Sequence, residues 1–310
     1  MTYPYAAGYP DYSSTGSAKF IPQIWSSKTI VKWYEYTFLS RITNTDYEGE
    51  IRNQGDSVII RSVPDTTVVD HSIGQTVTYE RPVSSALTLL IDKGKRWAIE
   101  LDDIVAAQSD LPLLTKFTDD AAMQLKISIE YSFLNDSSIY SGMGTYMQGA
   151  TAGNKTQLFN LGTTGSPITL NATNVLDYII DCGTVLDEAL VPETGRWMMI
   201  PPWMAGMIKK SDLKDASLTG DAKSPIRNGL IGSIDRFELY CSNLMYAYSA
   251  TVFQVLFGHP AAITLATQIV KTQHIPTPSD AFAERVRMLQ VYGYKVLKSN
   301  AYGCMFVSKG

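Results

Sequence analysis

The chain has 310 residues, of which 45% are hydrophobic and 18% charged, and its formal net charge is −4. That length supports one large domain or two closely joined ones, and the apolar share fits a globular core. The longest basic runs are the pairs Lys95-Arg96 and Lys209-Lys210, which excludes a protein that wraps nucleic acid through a charged tail.

Residues Met1 to Lys19 are rich in Tyr, Gly, Ser and Pro and have no helical or strand period. They read as an arm, loose in an isolated chain. Its tyrosines, Tyr3, Tyr5, Tyr9 and Tyr12, supply large contact area at low entropic cost, which suits docking on a neighbour. The segment lacks the early positive charge and apolar stretch of a secretory signal. Ile24, Val31, Tyr34 and Phe38 then predict a short amphipathic helix after Pro22.

Strand material follows. Ser57 to Arg61, Thr76 to Tyr79 and Ala86 to Ile91 are β-rich. Arg96 to Asp102 alternates, with Trp97, Ile99 and Leu101 on one face and Arg96, Glu100 and Asp102 on the other. Between these runs lies a polar excursion, Pro64 to Ser85, carrying Asp65, Asp70, His71, Glu80 and Arg81. It has too little apolar material for its own core and reads as a long hairpin projecting from the body. A two-stranded hairpin alone is marginal in water, so such an arm needs something to lie on.

Ser109-Asp110 is placed to cap a long helix with Pro112 in its first turn. Leu114, Phe117, Ala121, Leu125 and Ile129 form its apolar stripe, and it ends near Asn135 to Ser138. Gly142 to Pro167 reads as a loop. A second helix runs from about Ala172 to Leu190, with Leu176, Ile179, Ile180, Gly183, Leu186 and Leu190 on one side. Arg196 to Ile200 is a buried strand stopped by Pro201-Pro202, and Trp203 to Leu213 a short helix. Gly229 to Tyr240 alternates again, with Ile234, Phe237 and Leu239 as core, and Arg287 to Leu297 is the last strong strand region. Leu239 to Val270 carries no Asp, Glu, Lys or Arg, yet Asn243, Gln254, Gly258, His259, Pro260 and Gln268 interrupt it too often for a membrane span. It reads as buried strand and turn. The interleaved order of helix and strand is that of an α+β fold.

Chemistry is hard to place on this sequence. His71, His259 and His274 are the only histidines, and none has metal-ligand spacing to another or to a cysteine pair. Cys182, Cys241 and Cys304 read as three buried free thiols. Gly142, Gly144 and Gly149 miss the dinucleotide fingerprint, where Met147 stands in place of the third glycine. Asp102 and Asp103 should point to opposite faces of a strand end, and Asp119-Asp120 reads as a solvated helix face. The reading is of no catalytic residue, no cofactor and no metal: a chain with projecting devices for gripping neighbours. Its low charged share, against about 25% in a typical domain, fits surface destined for burial.

At this point the chain resembles the major capsid (coat) proteins of tailed bacteriophages. Ile21 to Trp25 resembles that family's start of the ordered body, and Asp46-Tyr47-Glu48-Gly49-Glu50 with Gly55 to Ile60 the approach to its long extended loop. Asp102 to Gln108 is similar to the lead into the spine helix. Arg196 to Pro202, Gly229 to Gly232 and Phe237 to Tyr240 resemble the central domain, and Gly258-His259, Ala262 to Ala266 and Val291 to Val296 its closing segments. No single motif is specific; their order and spacing carry the resemblance.

The resemblance implies an N-terminal arm at 1–20, an N-terminal helix region at 21–54 and an extended hairpin loop at 55–100. It implies a peripheral domain with the spine helix at 101–170 and 271–310, and a central, axial domain at 171–270. It further implies a shell protein, not an enzyme, whose copies form pentamers and hexamers of an icosahedral virion capsid around double-stranded DNA, assembled in the host cytoplasm. Partners would be the chain itself, a separate scaffolding protein and a portal protein, with no membrane and no sequence-specific DNA binding. Asp65, Asp70, His71, Glu80 and Arg81 are the expected inter-subunit contacts. Lys93 and Lys95 lie at the base of the hairpin, so covalent cross-linking is not expected. An encapsulin-like compartment shell is the alternative that shares the fold.

Overall fold

Alternating side chains along Lys93–Asp102 make a half-buried strand, and the long stripe after it makes a helix that covers its inner face. A computed structural model of the chain describes residues 32, 34–47, 57–64, 66–104, 113–211, 232–249, 251–279 and 281–310. The tyrosine arm, Ile24, Val31, the Ser109-Asp110 cap and Asp65 lie outside the described residues.

In chain order the elements are α1 (Leu39–Ile42), β1 (Ser57–Arg61), β2 (Ala86–Leu90), β3 (Lys93–Asp102), α2 (Leu113–Leu134), α3 (Ser137–Ser141), β4 (Ile168–Leu170), α4 (Val175–Glu188), β5 (Arg196–Ile200), α5 (Pro202–Lys210), β6 (Ser233–Ile234), β7 (Phe237–Cys241), β8 (Val252–Gly258), β9 (Ile263–Ile275), β10 (Ala283–Val296) and β11 (Tyr302–Lys309). Among the described residues they build three sheets. One has the order β3-β10-β9, antiparallel throughout, with α2 against β3. A larger one has the order β4-β11-β8-β5-β7-β6, with parallel pairs β4/β11 and β5/β7. The third is the two-stranded β1-β2 ladder, with Ser57 opposite Leu90 and Arg61 opposite Ala86. Residues 168–170 and 302–309 are strands of the larger sheet. One continuous core joins the two larger sheets, from Leu125, Ile129 and Phe133 on α2 to Met198 and Ile200 on β5 and Met305 and Val307 on β11.

The α+β reading and most element positions hold, and several details are corrected. Tyr34 to Phe38 is not helical; the helix begins only at Leu39 and lasts one turn. Thr76 to Tyr79 is not a strand: the hairpin limb has no sheet to join, and its apolar side chains face solvent. On α2 the stripe is buried only toward the C-terminal end, where Leu125 and Ile129 pack, whereas Phe117 is 45% exposed. On α4, Ile180 is exposed, and Leu190, beyond the helix end at φ 58°, is exposed too. Cys182 and Cys304 are buried but Cys241, at the outer end of β7, is exposed. The loop after α3 is well packed: Met143, Met147, Ala152 and Leu161 are buried, and Cys304 N donates to Met147 O at 3.2 Å.

Candidate interface: the extended hairpin and its anchors

β1 and β2 carry the chain away from the body. The ladder is extended by Ser62 N donating to Ser85 O at 2.9 Å and by a 2.6 Å contact between the two serine hydroxyls. The limbs then run unladdered to a turn at Ser72–Gln75. There Gln75 N donates to Ser72 O at 3.1 Å, and Gly74 takes a φ of 87°, a conformation that a side chain would strain.

Of the residues expected to touch a neighbour, Asp70, His71, Glu80 and Arg81 are all on this projection and all exposed. Glu80 is also used within the hairpin, accepting from Thr67 N at 3.0 Å and from its hydroxyl at 3.4 Å. Asp70, His71 and Arg81 make no hydrogen bond or ion pair among the described residues. The polar reading missed the apolar side chains between them. Val63, Val68, Val69, Ile73, Val77, Tyr79 and Val83 are also exposed, Ile73 fully and Tyr79 by 92%. A run of naked valines on a projecting arm is unusual for a free monomer and is what an interface needs at its centre. Polar residues interleaved along both limbs hide such a patch in a sequence, because no apolar run there is longer than Val68-Val69.

The base of the hairpin is fixed in three ways. Leu89 is buried against Ala266 of β9, with Tyr47, Val58, Ile60 and Ile91 around them. Gly293 of β10 lies so close to Leu90 that a Cβ there would stand 2.0 Å from the Leu90 carbonyl oxygen. Beside these, Asp136 caps α3, accepting from Ser138 N at 2.8 Å. Its other oxygen receives the Tyr294 hydroxyl and lies 3.3 Å from Lys93 Nζ, at the first residue of β3. Lys93 Nζ also stands 4.7 Å from the Tyr294 ring centre, and that ring packs edge-on to Phe133. Burial alone would raise the Asp136 carboxyl, but the bonds from Tyr294, Ser138 and Lys93 outweigh it and hold it at about 2.

Two further anchors bind the segment before α1 to the long helix. Asp120 receives Lys32 Nζ at 2.7 Å and the Tyr34 hydroxyl at 2.8 Å, and these bonds, Lys32 first, hold its carboxyl below the usual value. Glu130, on the same helix, is fully buried; one oxygen accepts from Phe38 N at 2.6 Å and Leu39 N at 3.0 Å, and the other has no hydrogen-bond partner. Burial pushes this carboxyl up against the downward pull of the two amides. In the larger sheet Arg196 is fully buried and donates to the carbonyls of Pro192, Gly183 and Val191 and, at 2.7 Å, to Asp187, which also holds Arg236.

The histidines sit apart: His71 on the hairpin, His259 accepting from Ala261 N through Nδ1 at 3.1 Å, and His274 paired with Glu284. Among the described residues no group of three or more His, Cys, Asp or Glu side chains is placed to hold a metal ion, and no helix is long and apolar enough to cross a membrane.

No protein-family model matches this sequence. No curated protein matches it either. Solved structures do. The chain of Mycobacterium phage Che8 is similar at 26% identity and a TM-score of 0.75, covering 92% of this chain and 96% of that one. The capsid structure of cyanophage P-SCSP1u is similar at 13% identity and a TM-score of 0.73, over 99% of both chains. The capsid of a native GTA particle is similar at 14% identity and a TM-score of 0.64. The fold is therefore a phage capsid fold, as the sequence resemblance implied.

Proposed function

We propose that this chain is a major capsid protein, a structural component of a tailed-phage virion and not an enzyme. The observation that carries the reading is a fold match to phage structures over nearly the full length of both chains. In this reading, copies assemble into the pentamers and hexamers of an icosahedral shell that encloses double-stranded DNA. The three-stranded sheet with α2 forms the peripheral part, and the larger sheet the part around the axes. A separate scaffolding protein and a portal protein take part in assembly in the host cytoplasm. Head-to-tail contacts of one patch against a different one close into rings when the rotation permits, and many weak contacts per copy sum to a stable shell. The hairpin supplies one side of such a contact, with its valines at the centre and Asp70, His71, Glu80 and Arg81 setting register.

Electron microscopy of the purified chain, expressed alone and with a scaffolding protein, tests this. Closed shells with five- and six-fold rings are expected; a discrete monomer or dimer under both conditions overturns the reading. Deleting Val69 to Thr78 should leave the body folded by circular dichroism yet abolish closed shells, and normal particles from that deletion would remove the hairpin from the mechanism.

A further inference from the structure

We propose that Asp136 is the positioning residue for the hairpin, acting through Lys93 and Tyr294 as a lock that sets the angle at which β1 and β2 leave the body. The inference rests on the reading above only in giving that angle a purpose. The hairpin returns to the body through Ile91 and Asp92 and meets it at Lys93, where β3 begins opposite Tyr292 of β10. Two residues without ladder pairing separate β2 from β3, so at this joint the hairpin is held to β10 by contacts such as the close approach of Gly293 to Leu90 and not by a continuous ladder. The packing of Leu89 on Ala266, with Tyr47, Val58, Ile60 and Ile91 around them, is apolar and non-directional, and it resists separation more than rotation. On the other flank a cleft of 480 Å³ lies between Leu87 of the hairpin and Ser138, Gly142 and Ser299 of the body. Packing there cannot fix the direction.

The lock sits beside that joint. It joins three elements at one carboxylate: the start of β3 through Lys93, the region after α2 through Asp136 itself, and β10 through Tyr294. Each partner is held from behind. Tyr294 packs on buried Phe133, and Asp136 is tied to α3 through Ser138 N. Lys93 is stretched over the aromatic ring as well as toward the carboxylate, which leaves it one direction. Partly buried charge-assisted bonds of this kind are directional where apolar contacts are not. The carboxylate stays ionised through the whole physiological range, so the lock is a fixed strut and not a pH switch.

The test measures orientation in the full chain before assembly. Spin labels are placed at Thr88→Cys on β2 and Lys126→Cys on α2, both exposed positions, in a Cys241→Ser background. The parent should give one narrow distance distribution. Lys93→Met, which keeps the aliphatic stem, and Tyr294→Phe, which keeps the ring, should each broaden it or shift its centre. Lys93→Arg should restore the narrow distribution, a rescue that loss of general stability would not produce. Unchanged distributions in both Lys93→Met and Tyr294→Phe overturn the proposal. The readout does not depend on shells forming: a parent that never assembles would end the capsid reading and leave the distance result standing.

Discussion

Glu130 and Arg196 show how much single buried polar side chains hold in this chain. Glu130→Ala would strand the Phe38 and Leu39 amides and should cost about 3 kcal/mol in urea unfolding, whereas Glu130→Gln keeps an acceptor and should cost less. The sign of its pH effect follows from burial. A carboxyl whose value is raised on folding is protonated more in the folded chain than in the unfolded one, above its ordinary 4.5. Its contribution therefore weakens as pH rises through that window, and Glu130→Gln should flatten this part of the stability profile. Asp136 runs the other way. Its contribution is complete above the ordinary 3.8 and is lost as pH falls toward about 2, so Asp136→Asn should remove that acid limb. Arg196→Ala takes the buried guanidinium from three carbonyls, leaves Asp187 to Arg236 alone, and should cost about 3–5 kcal/mol. None of these roles is visible in the sequence: Glu130 sits beside the stripe residue Ile129, and Arg196 opens a run read only for its apolar members. A partner many residues away decides whether a charge is buried, and periodicity carries no information about it.

Elements were far more legible than contacts. The period of two in Arg96 to Asp102 and the three-and-four spacing after Pro112 each marked a real strand and helix, because one face of each meets a core. The errors fall where that condition fails. Thr76 to Tyr79 has strand composition but nothing to pair with, and Phe117 and Ile180 continue stripes past the edge of the surface they cover. The exposure of the hairpin limbs agrees with their polarity, but the exposed valines among them carry no signal of a patch in the sequence. Gly293 belongs to this scale as well. Gly293→Ala would drive a Cβ into the Leu90 carbonyl, and the β1-β2 ladder should separate from β10. Faster amide exchange at Leu89 and Ala266, with β8 and β11 unchanged, would register that separation.

For the molecule as a whole, the sheet order matters more than the element list. In the β4-β11-β8-β5-β7-β6 sheet, β11 lies between β4 and β8, pairing Val307 with Ile168 on one side and with Phe253 on the other. Its side chains are almost all buried, and Gly258 admits it so closely that a Cβ there would lie 2.8 Å from Tyr302 Cα. A nascent chain that has not yet delivered residues 302–309 therefore has β4 detached and β8 with an open edge. Translation that stalls upstream of Tyr302 should yield a product in which β4 has no partner strand and proteases cut faster. The larger sheet therefore closes only once residues 302–309 are in place, after every other strand it contains has been made.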